Sequence, residues 1–284
     1  MSQSSPENGR PHRQNSGSNN GRGNDQGHTP AGATTQSRVC VAFTFYRLHP
    51  SAFLLAIEER RHLAAQFEDT LNAAAAHLGI LRSYSLVGLR PDADLLLWQA
   101  AETPEQLQRF AAALRATDLW AHIEIPHHYL AMTRRSQYID NHTHAGQDGA
   151  RTTVQPAGSP YFFIYPFVKT RAWYALPQEE RQRMMSAHIA IGHKYPNVKI
   201  NTTYSFGLDD QEFVVAFEGD SPGEFLDLVM ELRSSEASAF TLRDTPAFTA
   251  VAKPVGEALA LALGIAAEEP VASLLVETAV GGAR

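Results

Sequence analysis

The 284-residue chain has a single cysteine, Cys40, and this scarcity excludes two kinds of site. One thiol cannot form an internal disulfide framework, nor can it supply the thiolates of a cysteine-based zinc or iron–sulfur site. Positive charge is also sparse, because 24 Lys and Arg stand against 30 Asp and Glu, a net charge of −6. Phosphate binding needs a basic patch, so this dispersed acidic balance argues against nucleic acid as a partner.

Long apolar runs are missing as well. No run approaches the roughly 18 residues that span a membrane. The first forty residues lack the apolar region of a secretory signal. The sequence therefore predicts a soluble, cytoplasmic protein with no membrane span.

The composition divides the chain into segments. Residues 1–37 contain no Val, Ile, Leu, Phe, Trp or Tyr, so they cannot bury enough apolar surface and are predicted to be a disordered tail. Residues 139–158 are polar and turn-rich, which predicts a linker between domains at 38–138 and 159–254. Residues 255–284 are rich in Ala and Leu and are predicted to form a helical tail.

The two predicted domains share one order of elements. In the first, the sequence predicts strands at 39–46, 81–87, 95–100 and 122–132, with helices at 53–78 and from Thr103–Pro104. In the second, it predicts strands at 161–168, 199–206, 212–217 and 240–250, with helices opening near Pro177 and Pro222. Each domain therefore reads β-α-β-β-α-β, the ferredoxin-like order of the α+β class.

An internal repeat is visible in the letters. The segment that begins at Tyr84 aligns with the segment that begins at Tyr204, and the alignment matches Gly88 with Gly207, Pro104 with Pro222, and Leu114–Arg115 with Leu232–Arg233. Chance similarity between two amphipathic units is the alternative. The matched proline, glycine and Leu-Arg pair favour duplication.

One face of the predicted strand 161–169 combines aromatic rings with a lysine. The alternation of the strand places Tyr161, Phe163, Tyr165, Phe167 and Lys169 on one side. This pattern fits either a core strand that ends in a solvated lysine or a face on which a phenol and an ammonium serve a ligand.

A histidine stands on an apolar part of the helix after Pro177. His188 lies among Met184, Met185, Ile189 and Ile191. His193 is five residues on, about 140° around the helix, so the two cannot share a metal. His188 is therefore either a satisfied core histidine or a lone ligand, and a lone imidazole in an apolar cavity suits axial ligation of haem.

Several motifs resemble those of a known family. YPFVKTRAWYALPQEERQRMM, AHIAIGH, NTTYSFGLDDQEFVVAFE and ELRSSEAS are similar to the chlorite dismutase-like haem proteins, and most similar to their coproheme decarboxylase branch. The resemblance covers about residues 38–252. It implies two tandem ferredoxin-like units of the dimeric α+β barrel type, and a homo-oligomer, commonly a ring of five.

The resemblance also implies roles for individual residues. His188 matches the proximal ligand of the iron, and Tyr165 matches the tyrosine that becomes a radical in the decarboxylases. Glu236 matches the acid that accepts a hydrogen bond from the proximal imidazole. Three further matches would hold the carboxylates of the porphyrin: Lys169, Arg233 and Ser238.

The distal side departs from the chlorite dismutase pattern. Thirteen residues after His188, where chlorite dismutases carry an arginine, this chain has Asn201. A neutral amide cannot hold an oxychlorine anion as a guanidinium does, although it can hydrogen-bond water or peroxide. A distal base would come from His142 or His144, which otherwise are solvated loop residues.

The function implied by the resemblance is the oxidative decarboxylation of iron-coproporphyrin III to haem b by hydrogen peroxide. The alternatives are a chlorite dismutase-like haem protein with weak peroxidase activity, and a haem-binding protein without chemistry. The first domain lacks counterparts of Tyr165, Lys169 and His188. It is therefore expected to bind no porphyrin and to serve as scaffold and oligomer surface.

Overall fold

The computed structural model describes residues 38–138 and 154–265. The predicted tail 1–37, His142, His144, most of the predicted linker and the end of the C-terminal tail lie outside this range. None of the helices within it combines the length and the apolarity needed to cross a bilayer. The strands are β1 Cys40–Leu48, β2 Ile80–Ser85, β3 Leu95–Ala101, β4 Ile123–Met132, β5 Tyr161–Lys169, β6 Lys199–Tyr204, β7 Phe213–Gly219, β8 Thr241–Arg243 and β9 Phe248–Ala252. The helices are α1 Ile57–Ala75, α2 Pro104–Arg115, α3 Arg171–Ala175, α4 Gln178–Gly192, α5 Pro222–Arg233 and α6 Val255–Ala262.

Eight of these strands form one closed antiparallel barrel. The first half contributes the order β4-β1-β3-β2, and the second half contributes the equivalent order β9-β5-β7-β6. One seam joins β4 to β6 at Met132 and Tyr204, and the other joins β2 to β9 at Tyr84–Ser85. The predicted α+β fold is confirmed, with each half in ferredoxin-like strand order.

The barrel interior is filled mainly by aromatic and aliphatic side chains from both halves. The helices cover the outside, with α1, α2 and α6 over the first half and α4 and α5 over the second. Each strand therefore presents one face to the interior and one to the helices, as the period of two requires. The largest interior side chains are Phe43, Phe45, Tyr84, Trp98, Phe162 and Phe248.

The repeat seen in the sequence reappears in the backbone. Gly88 and Gly207 occupy equivalent turns with φ of 76° and 72°, a left-handed conformation that favours glycine. Pro104 and Pro222 are the first residues of α2 and α5, where a missing N–H is harmless. The two halves therefore use the same residue type at equivalent turns and at equivalent helix starts.

Two predicted elements are interrupted. The helix expected over 53–78 is divided into a 3-10 helix, Pro50–Leu54, and α1, because Leu55 and Ala56 have extended backbones. The strand expected over 240–250 is divided into β8 and β9. Pro246 lies between them, and its lack of an N–H prevents a continuous ladder.

The described end of the predicted linker packs against one end of the barrel. The Val154 side chain is 7% exposed and joins the interior cluster. The Asn201 amide accepts a hydrogen bond from Gln155 N at 3.0 Å and donates one to Gln155 O at 3.2 Å. Glu218 accepts from the backbone N–H groups of Ala157 and Gly158 at 2.6 and 2.9 Å. This segment is therefore fastened to β6 and β7.

Candidate functional site

His188 is positioned by α4, whose start is set by sequence. Pro177 precedes the helix, and Glu179 and Glu180 in the first turn complement its positive N-terminal dipole. Met184 is 4% exposed and packs with Trp173 and Ala237. His188 follows one helical turn later, so it lies on the same inward-facing side of α4.

The imidazole of His188 is arranged as a neutral ligand. Its Nδ1 lies 3.3 Å from Ser235 Oγ, and that hydroxyl donates its own proton to Leu232 O at 2.7 Å. Ser235 Oγ therefore accepts from His188 Nδ1–H, which leaves the Nε2 lone pair available. Burial, with a smaller contribution from the charge of Lys169, lowers the pKa of His188 to about 4.

The predicted hydrogen bond from His188 to Glu236 is not formed. Glu236 instead binds Arg183, with both carboxylate oxygens 2.9 Å from Nη2. Glu236 and Ser235 lie at the start of the 3-10 helix Glu236–Phe240, which turns by about 120° per residue. A slip of one position therefore exchanges Ser235, which contacts His188, for Glu236, which contacts the exposed Arg183 on a different part of α4. Ser238 lies on this same helix, and its backbone N–H donates to Ser235 O at 2.9 Å.

Tyr165 lies on the outer face of β5, which packs against the helices. Its ring centroid is 5.8 Å from that of Phe217, and it packs in a cluster beneath α4 and α5. Burial raises the pKa of Tyr165 to about 12, while the nearby charge of Arg233 lowers it and that of Asp244 raises it. The phenol is therefore protonated at neutral pH and lies within electrostatic range of the Arg233 guanidinium.

Arg233 reaches this position from the last turn of α5. Its guanidinium forms an ion pair with Asp244, which immediately follows β8. The Arg233 side chain remains 54% exposed, against 17% for Asp244. Asp244 therefore orients the guanidinium while N–H groups stay available to another carboxylate.

Lys169 is buried rather than solvated. Its side chain is 8% exposed, Nζ donates to Ala237 O at 2.6 Å, and Nζ lies 4.5 Å from the ring centroid of Trp173. Burial lowers the pKa of Lys169 to about 8, against an opposing effect of the Glu212 carboxylate. The ammonium is thus fixed between β5 and the 3-10 helix that carries Ala237.

Asn201 is not brought to this face. The β6–β7 register pairs Asn201 with Ala216, which lies inside the barrel, and directly opposed residues share a face. Its amide is occupied by Gln155. The β6 side chains that share the face of Tyr165 are Ile200, Thr202 and Tyr204, which pair with Phe217, Val215 and Phe213.

The structure thus brings five of the seven predicted site residues to one side of the second half, under α4 and α5: Tyr165, Lys169, His188, Arg233 and Ser238. Asn201 lies on the opposite face of the sheet, and Glu236 pairs with Arg183. Sequence reasoning missed Ser235, Asp244 and Ile200. The alternation of β6 could have identified Ile200, because Ile200 and Asn201 cannot share a face.

The donor set fits an iron porphyrin better than a bare metal ion. No group of three or more His, Cys, Asp or Glu that could hold a metal occurs within residues 38–138 and 154–265. A single neutral imidazole suits a metal whose other positions are filled by a macrocycle. Arg233, Lys169 and the Ser238 hydroxyl are groups that carboxylate substituents of such a macrocycle would need.

The fold and this arrangement define a class: a double ferredoxin-like barrel with a lone histidine and carboxylate-binding groups on the outer face of its second half. A family model described as chlorite dismutase matches residues 60–253. The chain belongs to the chlorite dismutase family.

Individual relatives agree with this assignment. A protein named coproheme decarboxylase from Mycolicibacterium smegmatis is 35% identical over 167 residues, which span 58% of this chain and 70% of that protein. A coproheme decarboxylase from Staphylococcus carnosus is 29% identical, over 69% of this chain and 86% of that protein. Among solved structures, a chlorite dismutase variant from Candidatus Nitrospira defluvii superposes with a TM-score of 0.72 at 24% identity, over 79% of this chain and 95% of that one. This last likeness concerns the fold.

Proposed function

We propose that this chain binds an iron porphyrin through His188 and converts iron-coproporphyrin III to haem b with hydrogen peroxide. The observation that carries the proposal is that Tyr165, Arg233 and a neutral His188 lie on the same outer side of the second half of the barrel. The 35% identical relative named coproheme decarboxylase supports the same chemistry.

The residues present fit a porphyrin with several carboxylates. His188 Nε2 would bind the iron, and Ser235 would keep the ring oriented through Nδ1–H. Arg233 would form a forked pair with a propionate, and Ser238 would lie towards another carboxylate. The buried Lys169, which donates to Ala237 O, would hold the 3-10 helix that carries Ser238. Iron-coproporphyrin III carries four carboxylates, so it makes fuller use of these groups than haem b does.

Tyr165 performs the step that distinguishes a decarboxylase from a haem carrier. The iron porphyrin, oxidised by peroxide, supplies the oxidising equivalents. The Tyr165 phenol gives up a proton and an electron, and the phenoxyl then takes a hydrogen atom from the adjacent propionate. The second oxidising equivalent from the peroxide would accept the remaining electron, and loss of carbon dioxide would leave a vinyl group. In sum, one propionic acid and one peroxide give one vinyl group, one carbon dioxide and two waters.

Arg233 and the burial of Tyr165 prepare this step. The guanidinium holds the propionate next to the phenol. Because the two reacting groups are already positioned, the entropic cost of bringing them together is met by binding. The raised pKa of Tyr165 keeps the proton on the phenol until it is oxidised. The three β6 side chains on this face, Ile200, Thr202 and Tyr204, carry no positive charge to hold an oxychlorine anion, which disfavours efficient chlorite decomposition.

The direct test is to load the protein with iron-coproporphyrin III, titrate hydrogen peroxide and follow product masses. We expect a singly decarboxylated species and then haem b, in step with the added peroxide. Bleaching of the porphyrin without loss of carbon dioxide would instead indicate a haem-binding protein with peroxidase activity.

We also propose that the protein works in the cytoplasm as a homo-oligomer, a ring of five by resemblance to the family. Leu226 and Met230 support an assembled form, because they are 55% and 64% exposed, one turn apart on the outer side of α5. Native mass spectrometry of the purified protein would give the number of chains, and a monomeric mass would contradict assembly.

A further inference from the structure

A buried carboxylate next to the site has no part in the function proposed above. Glu212 immediately precedes β7 and is 9% exposed. Its Oε2 accepts two hydrogen bonds, from Lys169 N at 2.8 Å and from Tyr174 Oη at 2.6 Å. The Arg171 guanidinium lies 3.8 Å from Oε1 but is 94% exposed, so it contributes little.

The backbone of β5 explains why a carboxylate is needed here. The ladder between β5 and β7 ends at the pair Phe167 and Phe213. The register between β5 and β8 shifts between Val168 and Lys169, which is an irregularity of the bulge type. The N–H of Lys169 thus leaves the β7 ladder in a buried place, and Glu212 Oε2 satisfies it.

Glu212 also fixes the far end of the turn that follows β5. Tyr174 donates its phenolic proton to the same oxygen that accepts from Lys169. Between them, Trp173 N–H is capped by Thr170 Oγ1, and the Trp173 ring is 2% exposed. One carboxylate oxygen therefore joins the beginning and the end of the segment 169–174.

This segment connects Glu212 to His188. Lys169 Nζ rests against the Trp173 ring and donates to Ala237 O at 2.6 Å. Ala237 lies on the 3-10 helix Glu236–Phe240, next to Ser235, whose Oγ accepts from His188 Nδ1. The position of the Ser235 acceptor thus depends on the Lys169 ammonium, which in turn depends on Glu212.

We infer that Glu212 is a positioning residue for the histidine side of the site. It acts through Lys169 and the 3-10 helix to fix the hydrogen bond that orients His188. The inference rests on the proposed function in one respect, that His188 is the residue that takes the iron.

The experiment compares Glu212→Ala with Glu212→Gln and with Glu218→Ala as the matched control. Glu218 is 1% exposed and also accepts two backbone hydrogen bonds, but at the barrel end fastened to Ala157 and Gly158. The glutamine oxygen can still accept from Lys169 N and Tyr174 Oη, so Glu212→Gln should retain most of the wild-type behaviour.

Two readouts are used, and neither is an activity. The first is amide hydrogen exchange of residues 169–174 and 236–240 in the protein without porphyrin. The second is the iron–imidazole stretching band of the ferrous haem-loaded protein by resonance Raman. Because the first needs no porphyrin and the second uses haem b, both remain valid if the decarboxylation proposal fails.

We expect Glu212→Ala to accelerate exchange at least tenfold in both segments and to shift or broaden the iron–imidazole band. Glu218→Ala should leave both readouts at their wild-type values. Wild-type readouts in Glu212→Ala, or equal changes in Glu218→Ala, would overturn the inference. If Glu212→Ala does not fold, Tyr174→Phe removes one of the two bonds. It should give smaller changes in the same segments, and their absence would equally overturn it.

Discussion

Replacing Tyr165 with Phe separates a role in catalysis from a role in packing. The change removes one oxygen, and that oxygen makes no hydrogen bond within residues 38–138 and 154–265. The ring contact with Phe217 and the pairing of β5 with β7 do not involve it. The binding of iron-coproporphyrin III should therefore weaken by no more than one hydrogen bond, about 0.5–1.5 kcal/mol or roughly two- to twelve-fold in Kd.

Catalysis should respond very differently from binding. Phenylalanine has no O–H to lose, so Tyr165→Phe should yield no singly or doubly decarboxylated product with excess peroxide. The wild-type rate should also show no titration of this phenol between about pH 6 and 9. Its pKa of about 12 keeps the group protonated throughout that range.

The assay is product mass after a timed peroxide addition, together with a porphyrin titration by absorbance. Tyr161→Phe is the matched control, because Tyr161 lies four residues earlier on the same face of β5 and in the same cluster. It should decarboxylate at the wild-type rate. Haem b formation at the wild-type rate by Tyr165→Phe would refute the reasoning and leave Tyr165 a packing residue.

Other changes should have effects of predictable direction. His188→Ala should abolish the iron–imidazole Raman band, yet cost the porphyrin-free fold less than about 2 kcal/mol in thermal unfolding, because the imidazole makes one 3.3 Å hydrogen bond. Asn201→Ala should lower unfolding free energy by about 1–3 kcal/mol through loss of two bonds to Gln155, without changing decarboxylation; a loss of activity at full stability would contradict its placement. Burial raises the pKa of Glu218, so the advantage of wild type over Glu218→Gln should be largest below the unfolded pKa of about 4.5 and should shrink as pH rises through the folded pKa. Denaturant titrations at several pH values would show an increasing advantage if this sign were wrong.

The sequence carried much of the fold because its signals there are local. A glycine with positive φ, such as Gly88 or Gly207, and a proline that opens a helix are each decided by a few neighbouring residues. Because of the internal repeat, each of these local signals occurs once in each half of the chain, and the two occurrences support each other. The broken helix at Leu55 follows from an extended backbone that the apolar pattern does not encode. The broken strand follows from Pro246, which the apolar pattern alone does not take into account.

Site residues were harder to predict where the prediction depended on the number of residues that separates two positions in the sequence. The thirteen residues from His188 to Asn201 cross a helix end, a loop and the start of a strand, and one residue more or less in that loop reverses the face of β6. The same sensitivity exchanged Ser235 for Glu236. That Tyr165 and Lys169 share one face follows from the alternation of a single strand, whereas the burial of Lys169 depends on Trp173 and Ala237, which alternation does not reveal.

The two seams of the barrel limit how its halves can change over evolutionary time. They comprise three residue pairs in all, one between β4 and β6 and two between β2 and β9, so the halves are held together mainly by the interior that they fill jointly. A substitution such as Phe162→Ala in one half would leave a void against Trp98 and Tyr84 of the other. Substitutions on the inner face of one half are therefore expected to require compensating substitutions on the inner face of the other. The outer faces are not linked in this way, so the second copy could acquire His188 and Tyr165 on its outer side without a matching change in the first copy.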